Sequence, residues 1–144
     1  MSAPLILALA IIAFAAAFHL HWALGGRLGY SVSLPHRDDG NPVMPNRLSW
    51  WRWGAAGVAL ALILLAGLAL IVAGAIQTPL APVLAASILG VVGAAFVLRA
   101  LVPTPWTGLF KTIRTTRWAR FDTYLYSPLF LTLGLSLIAV AAGY

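Results

Sequence analysis

Four long apolar runs, separated by polar connections, constrain this chain more than any other feature of its sequence. They cover approximately residues 4–26, 53–76, 81–102 and 123–143, and the one Lys, Arg, Asp or Glu within them is Arg99. An α-helix rises 1.5 Å per residue, so about 20 residues cross the ~30 Å hydrocarbon core of a bilayer. The pattern therefore predicts an all-α fold, a four-helix transmembrane bundle.

The composition argues against a soluble domain of this size. Of 144 residues, 62% are hydrophobic and 8% are charged, whereas soluble domains carry about 25% charged residues. A soluble fold of this length still exposes roughly 30% of its chain surface, which this chain could not cover with polar groups. The chain has no cysteine, which excludes disulfides and thiolate-ligated metals.

Proline and glycine indicate where the spans begin and end. Pro4 favours a helix start, and Gly25 and Gly26 favour a helix end. The segment 106–113 is weakly amphipathic and predicts a short interfacial helix before the last span. We expect one integral membrane domain over residues 1–144, with the first run retained because it lacks the basic start of a signal peptide.

The basic residues are sorted to one side of the predicted bundle. The connections 27–52 and 103–122 carry eight of the nine, and the ninth, Arg99, lies close to the second connection; the two ends of the chain and the turn at residues 77–80 carry none. The positive-inside rule then predicts cytoplasmic connections and non-cytoplasmic termini. The net charge of +6 is explained by this topology, and we expect no nucleic-acid partner.

The segment 114–128 combines arginines, one acid and several aromatic residues. Arg99 either extends to the interface or pairs with Asp122, the one acid near the second connection, and the pair is favoured. Arg114, Arg117 and Arg120 recur every three residues and would share one helix face. That face either anchors anionic lipid headgroups or, with Trp118 and Arg99, forms a phosphate or headgroup site.

Histidines near the end of the first run are a second group of candidates. His19 and His21 would point about 200° apart on a helix, so they cannot chelate one metal ion together. Either one alone can ligate a haem or transfer protons, or it can lie at the interface bonded to a carbonyl or water. Asp38 and Asp39 form either a turn or a cation site.

Two segments resemble a known family. FHLHWALGG (18–26) and TRWARFDTYLYSPLFLTLGL (116–135) are similar to the two ends of a family of small bacterial four-span proteins, catalogued only as a domain of unknown function. The resemblance implies a multi-pass protein of the bacterial inner (plasma) membrane and brings no activity. The residues that match the family pattern are His19, Trp22, Arg120, Asp122, Tyr126 and Pro128.

We therefore expect a binding or assembly protein. Its cytoplasmic-side Arg, Trp and His cluster would hold a lipid headgroup, an amphipathic small molecule or a partner subunit. The predicted ligand-binding residues are His19, Trp22, Arg99, Arg117, Trp118, Arg120, Asp122 and Tyr126. Membrane lipids are the expected partners, and a small-residue stripe of Ala86, Gly90 and Ala94 favours a homo-oligomer or a partner membrane subunit.

Two alternatives remain open. One is a small oligomeric channel or transporter, and the other is a membrane-embedded haem protein or enzyme that uses His19 or His21. The chain contains three acids and no metal-protease, phosphate-loop or serine-hydrolase motif. We therefore predict no catalytic or metal-ligating residue, and no cofactor except in the haem alternative.

Overall fold

Four long helices make up the fold of this protein, for which a computed structural model describes residues 1–43, 48–79 and 81–143. Each helix is long and apolar enough to cross a membrane, and the described residues form no β-strand. The predicted all-α, four-helix transmembrane fold is confirmed. The helices are α1 (Ala3–Ala23), α2 (Leu48–Val72), α3 (Pro82–Leu101) and α4 (Arg117–Ala142).

The ends of the helices follow from proline and glycine. Pro4 lies in the first turn of α1, where a missing N–H costs nothing. After α1, the N–H groups of Gly25 and Gly26 donate back to the carbonyls of Trp22 and His21 at 2.9 and 2.8 Å, a Schellman motif. Gly25 has a φ of 92°, which side-chain-bearing residues rarely adopt.

The helices pack as two pairs. α1 lies along α2 and α3 lies along α4, and the pairs meet through α1 with α4 and α2 with α3. The shared core is aliphatic, with Leu5, Leu89 and Leu137 almost fully buried. Within an apolar 18-residue stretch of each span, only 28% to 33% of the residues are buried inside the bundle. The remaining apolar side chains are left for contact with lipid, as expected of a multi-pass membrane protein.

A pair of glycines brings α3 and α4 together. A Cβ atom added at Gly93 would lie 2.8 Å from the carbonyl oxygen of Gly134, so the two backbones are in direct contact. The predicted stripe of Ala86, Gly90 and Ala94 does not make this contact, since Ala94 is exposed and the Cβ position of Gly90 meets open space. Its role in an oligomer stays a prediction.

The predicted helix over Trp106–Ile113 is wrong, because that segment is irregular. The N–H of Leu109 donates to the carbonyl of Ala100 at 2.8 Å, and the N–H of Ile113 donates to Pro105 at 3.0 Å. These bonds replace the i→i−4 ladder of a helix. Gly108, with a φ of 92°, lies at a turn that brings the chain against the last carbonyls of α3.

The helix of the last span begins earlier than residue 123. The side chain of Thr116 accepts a hydrogen bond from the N–H of Ala119 at 3.1 Å and caps the first turn of α4. Arg117 and Arg120 therefore lie on α4, whereas Arg114 lies in the irregular connection. The three arginines do not share one continuous helix face.

The two polar connections fold against each other at one end of the bundle. The Tyr126 hydroxyl donates to the Val32 carbonyl at 3.0 Å, and the Thr115 hydroxyl donates to the Asp38 carboxylate at 3.2 Å. We call this region, residues 24–43 and 102–116, the polar end. Arg47 lies outside the described residues, and the side of the membrane that the polar end faces stays a prediction.

Candidate functional site

A buried charge cluster joins α3, the second connection and α4. The Asp122 carboxylate is fully buried, and its Oδ1 accepts from Arg99 at 2.5 Å. Its Oδ2 accepts from the Lys111 ammonium at 3.0 Å and from the N–H of Gly108 at 2.9 Å. The Arg99–Asp122 pair favoured from the sequence is present, and a second cation shares the same acid.

Lys111 is the member of this cluster that the sequence did not reveal. Its side chain is 0% exposed. The ammonium donates to Asp122, to the Gly108 carbonyl at 3.0 Å and to the Thr123 hydroxyl at 2.6 Å. Three donors thus meet three acceptors, as burial of an ammonium requires. The available signal was that the second connection holds several cations and a single acid.

Arg99 completes the cluster from α3. Its Nη1 donates to the Ser127 hydroxyl at 2.9 Å, and its guanidinium lies 4.3 Å from the centre of the Phe130 ring, a cation–π contact. Ser127 in turn donates to Asp122 Oδ2 at 3.2 Å. Both oxygens of Asp122 are therefore occupied from within the chain. We call Arg99, Lys111, Asp122 and Ser127 the charge clamp and assign it a structural role.

A π turn over Asp122–Tyr126 makes this geometry possible. The N–H of Ser127 donates to the carbonyl of Asp122, five residues back. In a regular α-helix, residues five apart point about 140° away from each other. The wider π turn brings the side chains of Asp122 and Ser127 into contact, and such turns are frequent at functional sites.

Aromatic residues brace the junction of the two connections. Trp118 is buried and donates from Nε1 to the Trp106 carbonyl at 2.9 Å. The Tyr126 ring lies 5.2 Å from it, centre to centre, and its hydroxyl donates to Val32 on the first connection. These two predicted site residues therefore hold the connections together.

Replacing Tyr126 by phenylalanine should loosen this junction without disturbing the ring packing. The variant loses only the hydrogen bond to the Val32 carbonyl, and a bond of this kind contributes about 1 kcal/mol. Amide hydrogen exchange should accelerate in residues 30–33 and stay unchanged in the middle of α1. Unchanged exchange in residues 30–33 would contradict the proposed bracing role.

The histidines lie at the end of α1, apart from the charge clamp. His19 Nδ1 lies 2.8 Å from the Ala15 carbonyl, which can only accept, so Nδ1 is the donor of this hydrogen bond. His21 Nε2 instead accepts from the N–H of Leu28 at 3.2 Å. Among the described residues, no group of three or more His, Cys, Asp or Glu side chains converges on a metal position.

Trp22 ties these histidines to the first connection. Its ring is 5.0 Å from that of His19, and its Nε1 donates to the Leu28 carbonyl at 2.7 Å. Trp51 packs against the Trp22 ring from α2 in a tilted arrangement, with 5.5 Å between the ring centres. His19 and Trp22 thus belong to an aromatic cluster between α1 and α2.

An open pocket lies where the two connections meet. We call it the junction pocket. Its volume is about 370 Å³. Arg117 is exposed beside it and makes no hydrogen bond or ion pair within the described part of the chain. The lining residues are Ser31, His36, Asp38, Gly40, Thr115, Thr116, Arg117 and Trp118.

The acids of the first connection form a turn. The N–H of Asn41 donates to Asp39 Oδ1 at 2.9 Å, and this bond holds the pKa of Asp39 below its usual value of 3.8. Asp38 accepts from Thr115 and so crosses to the other connection. Of the two predictions for Asp38 and Asp39, a turn or a cation site, the turn describes Asp39. Asp38 instead lines the junction pocket.

The predicted site residues fall into separate places. Arg99 and Asp122 belong to the charge clamp. Arg117 and Trp118 line the junction pocket, and the Tyr126 ring packs against Trp118. His19 and Trp22 lie at the end of α1. Arg120 is exposed on α4. Sequence reasoning missed His36 and Ser31, which face the second connection only because the two connections fold together.

These features define the class of the molecule, a small multi-pass membrane protein with four apolar helices and two polar connections folded together at one end. A family model matches residues 11–137, and the chain belongs to that family, described as Protein of unknown function (DUF3995). The resemblance drawn from residues 18–26 and 116–135 is confirmed. No curated protein and no solved structure matches the chain.

Proposed function

We propose that this protein is a membrane-embedded binding protein whose junction pocket holds the charged group of a lipid headgroup or an amphipathic small molecule. The observation that carries the proposal is Arg117, a guanidinium that has no side-chain partner among the described residues and lies at the edge of the junction pocket. A guanidinium binds phosphate or carboxylate through two parallel hydrogen bonds. The expected cytoplasmic position of the polar end is part of the same proposal.

The residues that line the junction pocket indicate which charged groups a ligand should carry. The hydroxyls of Ser31 and Thr116 and the ring of His36 supply hydrogen-bonding groups around an anion. Arg117 is also the first residue of α4, where the helix dipole favours negative charge. Asp38 adds a carboxylate on the opposite connection. A ligand that carries a phosphate and an amine would pair its phosphate with Arg117 and its amine with Asp38.

Binding fits the described residues better than catalysis or conduction. The three acids are engaged in the charge clamp, in the turn of Asp39 and in the Asp38–Thr115 bond, which leaves little for general acid–base chemistry. The shared core of the bundle is aliphatic. The channel alternative would therefore place its water-filled path between protomers.

Replacing Arg117 by glutamine should weaken ligand binding by about tenfold or more, because a hydrogen bond to a charged group contributes about 1.5–3 kcal/mol. The probes are phosphatidylethanolamine and soluble phosphoethanolamine, and binding to the purified full chain is followed by native mass spectrometry. Arg120→Gln is the matched control, because Arg120 lies on the same helix, is exposed and does not line the pocket.

The outcomes separate the possibilities. Loss of binding in Arg117→Gln with binding retained in Arg120→Gln supports the junction pocket. An equal loss in both variants would reduce the effect to general surface charge and overturn the proposal, as would a wild-type protein that binds none of the probes. Preference for phosphatidylethanolamine over phosphoethanolamine identifies a lipid, and the reverse preference identifies a small molecule.

A further inference from the structure

A second cavity lies on the outside of the bundle, where α1 ends and α2 begins. Its volume is about 290 Å³, and its lining residues are Ala23, Arg52, Trp53 and Ala56. None of them lines the junction pocket. We call it the α1–α2 pocket.

The guanidinium of Arg52 is held in place by the end of α1. Its Nε donates to the Ala23 carbonyl at 3.0 Å, and its central carbon lies 3.8 Å from where a Cβ atom of Gly25 would be. A cation is also favoured there, because the last carbonyls of a helix carry partial negative charge. Nη1 and Nη2 donate to no other described residue, so two adjacent nitrogens remain available to an incoming group.

The rest of the pocket is apolar and faces outward. Trp53 is 79% exposed and Trp50 is 74% exposed, which places two indoles on the surface beside Arg52. Indoles of this kind are typical of the membrane interface, where their rings lie at the level of the headgroups. The small side chains of Ala23 and Ala56 leave space between α1 and α2.

We propose that the α1–α2 pocket binds the phosphodiester group of a membrane phospholipid. Nη1 and Nη2 of Arg52 donate to two phosphate oxygens, Trp53 covers the glycerol region, and one acyl chain lies in the space beside Ala56. A guanidinium fork matches phosphate geometry, whereas a lysine would offer only a point charge. The proposal goes beyond the junction pocket and depends on none of its residues.

A lipid suits this pocket better than free phosphate. Three of its four lining residues are apolar, and a fully hydrated anion would lose water there without gaining enough donors in return. A phosphodiester has one negative charge to compensate, and its acyl chains bring their own apolar surface to the groove. Competition with inorganic phosphate therefore shows whether the pocket binds a phospholipid or free phosphate.

The test measures the phospholipid retained by the purified full chain, using native mass spectrometry and titration with phosphatidylglycerol. Arg52→Gln should lower the lipid affinity about tenfold, the effect of losing one charge-assisted contact. Ala56→Leu keeps every charge but fills the groove, and it should lower lipid affinity as well. Arg37→Gln is the matched control, since Arg37 is exposed on the connection that precedes α2 and lines neither pocket.

Retention of lipid in Arg37→Gln and its loss in both Arg52→Gln and Ala56→Leu would support the site. An equal loss in Arg37→Gln and Arg52→Gln would overturn it in favour of general electrostatics. Full competition by inorganic phosphate, with Ala56→Leu binding as the wild type does, would overturn the lipid assignment. Arg117→Gln should leave this affinity unchanged, so failure of the junction-pocket proposal and failure of this one are distinguishable.

Discussion

Replacing Asp122 by asparagine is expected to destabilise the protein by about 3–5 kcal/mol, the usual cost of removing one partner of a buried ion pair. The carboxylate is fully buried and compensates two cations, Arg99 and Lys111. Asparagine keeps the size of the side chain but removes the charge, so the Lys111 ammonium would stay buried without a counter-ion. The free energy of unfolding in detergent measures the effect.

Two further variants identify the cause. Asp39→Asn makes the same chemical change at an exposed turn and should alter stability little. In the Asp122→Asn background, Lys111→Met should recover much of the loss, because it removes the enclosed cation and keeps an apolar side chain of similar length. Arg99 has a side chain that is 23% exposed and can reach water by itself. No recovery in the double variant would contradict an uncompensated Lys111 as the cause.

The charge clamp also explains how a membrane helix positions the candidate site. Gly108 and Lys111 bond to Asp122, so the second connection is fixed against the start of α4. Thr115 and Thr116 follow in the chain and line the junction pocket. The buried cluster therefore holds one wall of the pocket, and the Tyr126 hydroxyl, through its bond to Val32, holds the other.

The parts of the fold that depend on lipid could be predicted from the sequence. Runs of about 20 apolar residues define spans because the bilayer sets their length. The Arg99–Asp122 pair was accessible for a similar reason, since a lone acid beside a cation in an apolar environment has few other partners. Both inferences use local composition and one dominant physical constraint.

The parts that depend on tertiary contacts could not be predicted. The segment 106–113 has a helical spacing of apolar residues, but its N–H groups bond to α3 and across the connection instead. Burial of Lys111 depends on that same fold. The junction pocket combines residues 31–40 with residues 115–118, and no local pattern in either segment indicates the other.

Replacing Gly93 by alanine should destabilise the bundle by about 1–3 kcal/mol, the range found when a packed interface receives extra atoms. The new Cβ atom would lie 2.8 Å from the Gly134 carbonyl oxygen and 3.2 Å from the backbone nitrogen of Ile138. Backbone atoms cannot turn aside as a flexible side chain can, so α3 and α4 would have to separate along their length. Thermal unfolding in detergent measures the change.

Gly90→Ala is the matched control, three residues away on the same helix. The Cβ position of Gly90 meets nothing within 4 Å in the described structure, so alanine there should be neutral or stabilise the helix by up to about 1 kcal/mol. The two variants make the same chemical change. Stability changes of opposite sign would locate the close helix contact at Gly93. If Gly90→Ala destabilises as much as Gly93→Ala, then the face carrying Gly90 also packs against a helix, which a second protomer would have to supply.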